Sequence, residues 1–380
     1  MPKCRNVSLT LNDFEGMLRF AQVQGVGLTV VGPELPLAEG IADLFWEARI
    51  PIFGPTQQGA MIESSKAWAK ELMQAAGIPT PQFAVFRDCP SALAYLKECS
   101  LPIVIKADGL AGGKGVTIAE TLEEAIATAE ALFSGQLGRA GETIVIEEFL
   151  RGEELSVLAV TDGKTIRPLL PARDRKRLGE GDTGANTGGM GAFAPSPIAS
   201  PDLMTKVQNQ ILEPALSALT ARGITYKGCL YAGLMIDPQG NPKVLEFNCR
   251  FGDPETQALM PLLETPLERI LLACVQGTLE ELPPIQWSNQ AAVCVVLAAA
   301  GYPHKPETGQ LISGIGKAES TGVTVFHSGT RLKNNQLTVS GGRVLSVTAV
   351  GQDLTEARAK AYQGLSYIYF DGMQYRRDIV

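Results

Sequence analysis

Histidine is nearly absent from these 380 residues, with only His304 and His327 present. That excludes a HExxH metal site and argues against a histidine-based triad. No two of the seven cysteines (Cys4, Cys89, Cys99, Cys229, Cys249, Cys274, Cys294) make a CxxC pair. Their odd number and wide spacing fit a reduced chain with neither a disulfide framework nor a cysteine-held zinc. Long apolar runs are missing as well. The longest, AAVCVVLAAA at 291–300, is half a bilayer span and reads as a buried strand. The opening MPKCRNVSLTLNDFEG carries no apolar signal-peptide core, so a cytoplasmic protein without membrane contact is expected. Basic excess is lacking too: a net charge of −7 argues against broad nucleic-acid binding.

What is present is 45% hydrophobic and 19% charged, with 40 glycines and 24 prolines. This composition indicates a globular α/β protein with many tight loops, long enough for two or three domains. Near the start, helical periodicity (LNDFEGMLRFAQVQG, GIADLFWEARI) alternates with β-branched runs (VGLTVVGPE, PIFGP), predicting a small parallel sheet. No strand with a Gly-rich turn opens it, as a doubly wound unit would have. Residues 64–76 predict a helix with a Ser start and a Gly77-Ile78-Pro79 stop. Strands and helices alternate to 143. A long helix is expected from 202 to about 222, and YAGLMIDPQGNPKVLEFN reads as a hairpin. The Pro-rich LPPIQWSN at 282–289 reads as a linker before a compact α+β tail.

Four stretches could carry chemistry. In VLEFNCRFGDPETQ, strand periodicity puts Glu246, Asn248 and Arg250 on one face and Leu245, Phe247, Cys249 and Phe251 on the other. A carboxylate beside an amide oxygen suits Mg²⁺, which prefers hard oxygen ligands completed by water and phosphate. An exposed polar strand face is the alternative, although asparagine is disfavoured in strands. In PIVIKADGLAGGKGVTI, Lys106 ends an apolar strand and Lys114 follows a Gly-rich turn. The turn is either a phosphate cradle or a plain hairpin, and matches neither a Walker A loop nor GxGxxG. IVIEEFLRGEELSV joins two strands through a connector whose backbone could pair with adenine while Glu154 reaches ribose hydroxyls; a solvated acidic turn is the alternative. PARDRKRLGEGDTGANTGGMGAF sets Arg173, Asp174, Arg175, Lys176 and Arg177 before a run of glycines, which suits a loop closing over an anion.

Taken in order, these stretches resemble the ATP-grasp superfamily. Together SKAWAKELMQAAGIPT, KADGLAGGKGV, VIEEFLRGEELSV, GDTGANTGGMGAF, LYAGLMID and EFNCRFGDPETQ are similar to the phosphoribosylamine–glycine ligase family over nearly the whole chain. The resemblance implies an ATP-grasp fold, α/β and α+β, with a truncated Rossmann-like domain at 1–60, an ATP-grasp domain at 61–285 and an α+β domain at 290–380. A small mobile subdomain would span about 80–143. ATP, glycine and 5-phosphoribosylamine are the implied substrates, with Mg²⁺ or Mn²⁺ on Glu246 and Asn248. Many ATP-grasp enzymes add an acidic ligand where Gly233 stands here, so two protein ligands are expected. Lys66, Lys106 and Lys114 would contact phosphates, Glu147, Phe149 and Leu150 would line the adenine pocket, and Glu154 would hold the ribose. Asp174, Asn186, Gly188, Gly189 and Arg250 would face the substrates, with Lys106, Asp174 and Arg250 in the catalytic set. The implied enzyme is a monomer. Two departures stand out: the family's GSGGREHAL-type opening turn has no counterpart here, and Arg175 replaces the histidine of its usual Asp-His-Lys. The missing turn leaves two other expectations open, a different ATP-grasp ligase or an ATP-binding protein without turnover.

Overall fold

The computed structural model describes residues 4–110 and 115–380. Lys114, expected at the phosphates, lies outside them. The two early apolar runs form the parallel pair Thr29–Val30 and Ile52–Phe53, with Thr29 opposite Ile52. Helices Phe14–Gln24 and Ile41–Glu47 bury Leu18, Ala21, Ile41, Ala42 and Phe45 in the adjoining core. Asp13 caps the first of them by accepting from the Gly16 N–H.

Two four-stranded antiparallel sheets build the middle of the molecule. One runs Phe83–Phe86, Ile144–Glu148, Ile103–Ala107, Val116–Ala119 in spatial order. Alternation decides its faces: Ile103, Ile105 and Ala107 pack with Ala92, Leu96, Ala125 and Ala129 of the covering helices, leaving Val104 and Lys106 for the other side. The second runs Pro242–Asn248, Gly228–Ile236, Glu153–Thr161, Ile166–Pro168. Its Leu155, Val157, Leu230, Ala232, Val244 and Phe247 meet the helices Lys66–Ala75 and Pro201–Val207 in the largest core. The long helix expected from 202 is interrupted by a π turn at Gln208–Leu212 before Glu213–Ala221 resumes. Pro214, which has no N–H to return to the previous turn, stands just beyond the widened segment.

A five-stranded sheet closes the molecule in the order Thr324–His327, Arg343–Gly351, Ala291–Ala298, Gly191–Ala194, Arg173–Asp174. Every residue of Ala291–Ala298 is buried, as its apolar run predicted. Two of the five strands come from the basic, Gly-rich stretch, so this stretch is built into the C-terminal sheet. The Pro-rich linker is likewise packed down: Leu282, Ile285 and Trp287 lie against the second core, and Trp287 bridges Leu263. No helix among the described residues is long and apolar enough to cross a membrane.

Candidate active site

The two middle sheets face each other across a cleft formed by two adjoining cavities of about 760 and about 650 Å³, whose shared walls include Lys106, Glu246, Asn248 and Arg250. Strand Pro242–Asn248 supplies the floor. Glu246 lies opposite Gly233 and Asn248 opposite Tyr231, with a bulge after Gly233. Phe247 and Cys249 reach the core as alternation requires, and the bulge brings Val244 to the same face. Leu245 does not join them: the bulge turns it to the cleft, where its carbonyl accepts from the Lys106 ammonium at 3.1 Å. Phe251 also lines the cleft, stacked on Phe53.

Glu246 is the electrostatic hub. Burial would raise its pKa, but Lys176, Lys106, Lys66 and Arg250 together hold it below the usual carboxylate value. No cluster of three or more His, Cys, Asp or Glu metal donors occurs among the described residues. The glycine opposite Glu246 adds no side chain. Glu246 and Asn248 are therefore two hard oxygen donors with room for water or phosphate oxygens, a set that fits Mg²⁺ or Mn²⁺.

Lys66 and Lys106 approach from the opposite wall. Lys66 opens the helix Lys66–Ala75, whose start is clamped by Asp108 accepting from the Ala67 N–H at 2.6 Å. Its ammonium donates to the Gly109 carbonyl at 3.3 Å, and burial lowers its pKa. Lys106 pairs with Glu147 at 2.9 Å, and Lys70 meets the same carboxylate oxygen at 3.2 Å. Glu147 is 1% exposed, and its Oε1 has no partner among the described residues. An orphaned acceptor on the wall of both cavities is a place for a ligand donor. Lys70 is lowered to about 8 by burial, against the pull of Glu147.

The end of the second cavity where the base is expected is apolar. Phe149 and Leu150 line it with Val104 and Ile118 of one sheet and Met235 of the other. Glu154 stands beyond them, 3.3 Å from the ammonium of Lys176. Lys176 is also 3.9 Å from Glu246. Burial works against its charge, but Glu154, Asp174 and Glu246 outweigh that and raise its pKa well above the ordinary lysine value.

Asp174 is buried and raised to about 7 by desolvation, with Lys176 opposing and Glu255 and Glu154 adding to the rise. Ser156 joins it to Tyr231 and Glu255: its hydroxyl donates to Asp174 Oδ1 at 3.4 Å and lies 3.0 Å from the Tyr231 hydroxyl. Tyr231 in turn donates to Glu255 at 2.6 Å. Arg250 is held by Glu34 at 2.9 Å and Glu63 at 3.1 Å, so N-terminal residues fix its direction. Asn186 lines the second cavity and Gly188 both. Gly189 is glycine for a backbone reason: its φ is 112°, and a Cβ would lie 2.4 Å from Pro254 Cδ. Arg175 lies on the wall of the second cavity, where its guanidinium donates to the Ile379 carbonyl and pairs with Asp182.

Family models describe this layout in three consecutive parts: the N domain of phosphoribosylglycinamide synthetase over residues 1–63, its ATP-grasp (A) domain over 64–256 and its C domain over 292–380. The chain belongs to the phosphoribosylglycinamide synthetase family. It is 58% identical to a phosphoribosylamine–glycine ligase of Nostoc sp., covering all of this chain and 89% of that protein. A ligase of the same name from Synechocystis sp. is 53% identical over 100% of this chain and 90% of that protein. The crystal structure of a phosphoribosylamine–glycine ligase from Thermotoga maritima superposes with a TM-score of 0.79 at 37% identity, over 89% of this chain and 84% of that one. An N5-carboxyaminoimidazole ribonucleotide synthetase from the same organism shares the fold at 19% identity and a TM-score of 0.62. The fold is ATP-grasp, and the enzyme class is that of an ATP-dependent ligase.

Within this family's cleft, several residues escaped the sequence reading. Lys70 and Glu63 are a base and an acid on ordinary helices, without local pattern to mark them. Arg343 comes from the C-terminal sheet, 90 residues beyond its partner Asp253. Lys176 was visible as part of a basic cluster, but its position between two carboxylates was not.

Proposed function

We infer that the protein ligates glycine to 5-phospho-β-D-ribosylamine with cleavage of ATP, giving glycinamide ribonucleotide, ADP and phosphate in purine biosynthesis. The observation that carries this reading is the Glu246–Asn248 pair at the junction of the two cavities, ringed by Lys66, Lys106, Lys176 and Arg250. Phosphoryl transfer needs charge neutralisation and positioning rather than a protein nucleophile. Phe149, Leu150 and the backbone of Glu147 hold the adenine, Glu154 the ribose, and Lys66 and Lys106 the phosphates. A divalent cation on Glu246 and Asn248, Mg²⁺ or Mn²⁺, neutralises charge on the phosphate oxygens when bound.

A glycine carboxylate oxygen attacks the γ-phosphorus and ADP departs, leaving glycyl phosphate. The sugar amine then attacks the acyl carbon, and phosphate leaves as the amide forms. Asp174, Asn186, the Gly188-Gly189 turn and Arg250 surround the acyl acceptor. A monomer in the cytoplasm is part of this reading, and free thiols on Cys89, Cys99, Cys229, Cys249, Cys274 and Cys294 suit a reducing compartment. The test is ADP release with ATP and Mg²⁺. It should require both glycine and phosphoribosylamine, and nucleotide binding without glycine-dependent ADP would overturn the reading.

A further inference from the structure

The hairpin of Arg177–Gly179 and Thr183–Asn186 stands at the second cavity without a core of its own. Arg177 pairs with Asn186 and Gly179 with Thr183 in a sheet of only these two strands. Among the described residues, no side chain between 177 and 186 joins one of the hydrophobic cores, and a two-stranded hairpin by itself is marginal in water. Yet Arg177, Asp182 and Asn186 line the cavity, so the place of this hairpin sets part of its wall.

What holds it comes from residues 374–379. Arg376 is 1% exposed. Its Nη1 donates to Asp182 Oδ1 at 2.7 Å and to the Arg177 carbonyl at 3.0 Å, while Nε and Nη2 fork onto Asp378 at 2.8 and 2.7 Å. Asp378 passes the grip on, accepting from the Gly181 N–H at 2.8 Å, and the hydrogen bonds from Arg376 lower its carboxyl to about 2. The stretch that carries Arg376 is itself fixed. Gln374 exchanges backbone hydrogen bonds with Ala298, the Tyr362 hydroxyl donates to the Arg376 carbonyl, and Ile379 is buried in a core with Val293, Val295 and Val347. Taking a guanidinium out of water costs more than a packed apolar side chain would. What the planar fork adds is direction: it ties one arm and the turn of the hairpin to a single point beside the C-terminal sheet.

We propose that Arg376 is a positioning residue for the ligation, holding the 177–186 hairpin, and with it Asn186, in place around the acyl acceptor. The proposal rests on the reading of the cleft as a ligase site. Without the fork, the hairpin spends part of its time away from the cavity. A hairpin in place about one-tenth of the time weakens apparent substrate affinity about tenfold, while substrate at saturation selects the competent form and leaves turnover nearly unchanged. The signature is therefore a rise in KM rather than a fall in kcat.

The test joins amide hydrogen exchange to steady-state kinetics on wild-type protein and Arg376→Met, both assayed well below their melting temperatures. Arg376→Met should speed exchange over 177–186 by about tenfold or more, while the strand Arg343–Gly351 keeps its protection. KM for phosphoribosylamine should rise about tenfold, with kcat within about threefold of wild type. Unchanged exchange in the hairpin overturns the clamp, and faster exchange with a wild-type KM overturns the positioning role. Should the methionine variant fail to fold, Asp182→Asn cuts the same tie from its exposed side. Asparagine suits the φ of 53° at that position, and both readouts should move the same way. Wild-type protein without phosphoribosylamine-dependent ADP release would overturn the ligase reading, and the exchange contrast would still decide whether Arg376 holds the hairpin.

Discussion

Arg343 reaches from the C-terminal sheet to grip Asp253, with Nη2 3.1 Å from Oδ2 and Nη1 2.8 Å from the Asp253 carbonyl. The same Nη1 donates to the Gly188 carbonyl at 2.6 Å. One guanidinium therefore ties two turns of the cleft to a third sheet. A Cβ on Gly188 would come within 3.0 Å of the arginine Cζ, so the glycine is what lets the guanidinium lie this close.

The consequence is testable on the sugar-amine half of the reaction. Arg343→Met should lower kcat/KM for phosphoribosylamine by roughly 10–100-fold, because an error of about 1 Å in placing a substrate loop has that effect. Arg343→Lys should recover little, since an ammonium cannot span carboxylate and carbonyls as the planar fork does. Steady-state kinetics, with a thermal melt on the same samples, measure both. Wild-type kcat/KM in the methionine variant would mean that the turns hold their places without Arg343.

The Lys70–Glu147–Lys106 cluster makes an ordered prediction about stability. Glu147→Gln leaves two nearly buried ammonium groups facing a neutral amide, and removing one member of a buried pair costs about 3–5 kcal/mol. Lys70→Met removes a charge but leaves Glu147 paired with Lys106, so its loss should be smaller. Urea unfolding of both variants gives the order directly. A glutamine variant as stable as the methionine one would contradict the bridging role of Glu147.

Much of this arrangement was legible in the sequence because it is local. Strand alternation marked Glu246 and Asn248, the apolar run 291–300 marked a buried strand, and a Ser65 cap marked the helix that carries Lys66. What stayed hidden depends on strands that meet only after folding. The bulge that turns Leu245 into the cleft arises from its pairing with Gly233-Leu234, and nothing in VLEF itself signals it. Asp253 and Glu255 stand two residues apart in the sequence, yet one goes to Arg343 and the other to a buried network with Tyr231 and Ser156. Whether Arg175 takes over the contact of the histidine it replaces was not legible; in the fold it pairs with Asp182 of the Gly-rich loop and donates to the Ile379 carbonyl near the C-terminus.

Asp174 predicts a pH dependence of stability. Burial raises its carboxyl from 3.8 to about 7 in the folded protein. Between those values the folded state holds a proton that the unfolded chain has released, so this group makes stability fall as pH rises through that window. Asp174→Asn is neutral at every pH and should remove the slope, gaining on wild type as pH rises from about 4 to about 8. Denaturant midpoints of both proteins across this range measure it. Parallel curves would show that Asp174 is ionised in the fold at pH 4–7.

Glu246→Gln separates the metal role from the structural one. The side chain is partly exposed, and its ion-pair partner Lys176 keeps a second carboxylate at Glu154, so the amide should fold with little change in melting temperature. The chemistry should not survive. Glutamine keeps one neutral oxygen, leaving Asn248 without an anionic partner beneath the phosphates, and turnover dependent on Mg²⁺ or Mn²⁺ should fall by at least 10³-fold, a loss typical of a group that stabilises transition-state charge. Mn²⁺ binding followed by electron paramagnetic resonance in the presence of ADP should weaken in parallel. Loss of turnover with unchanged Mn²⁺ affinity would move Glu246 from the metal to the reacting groups; retained turnover would remove it from both.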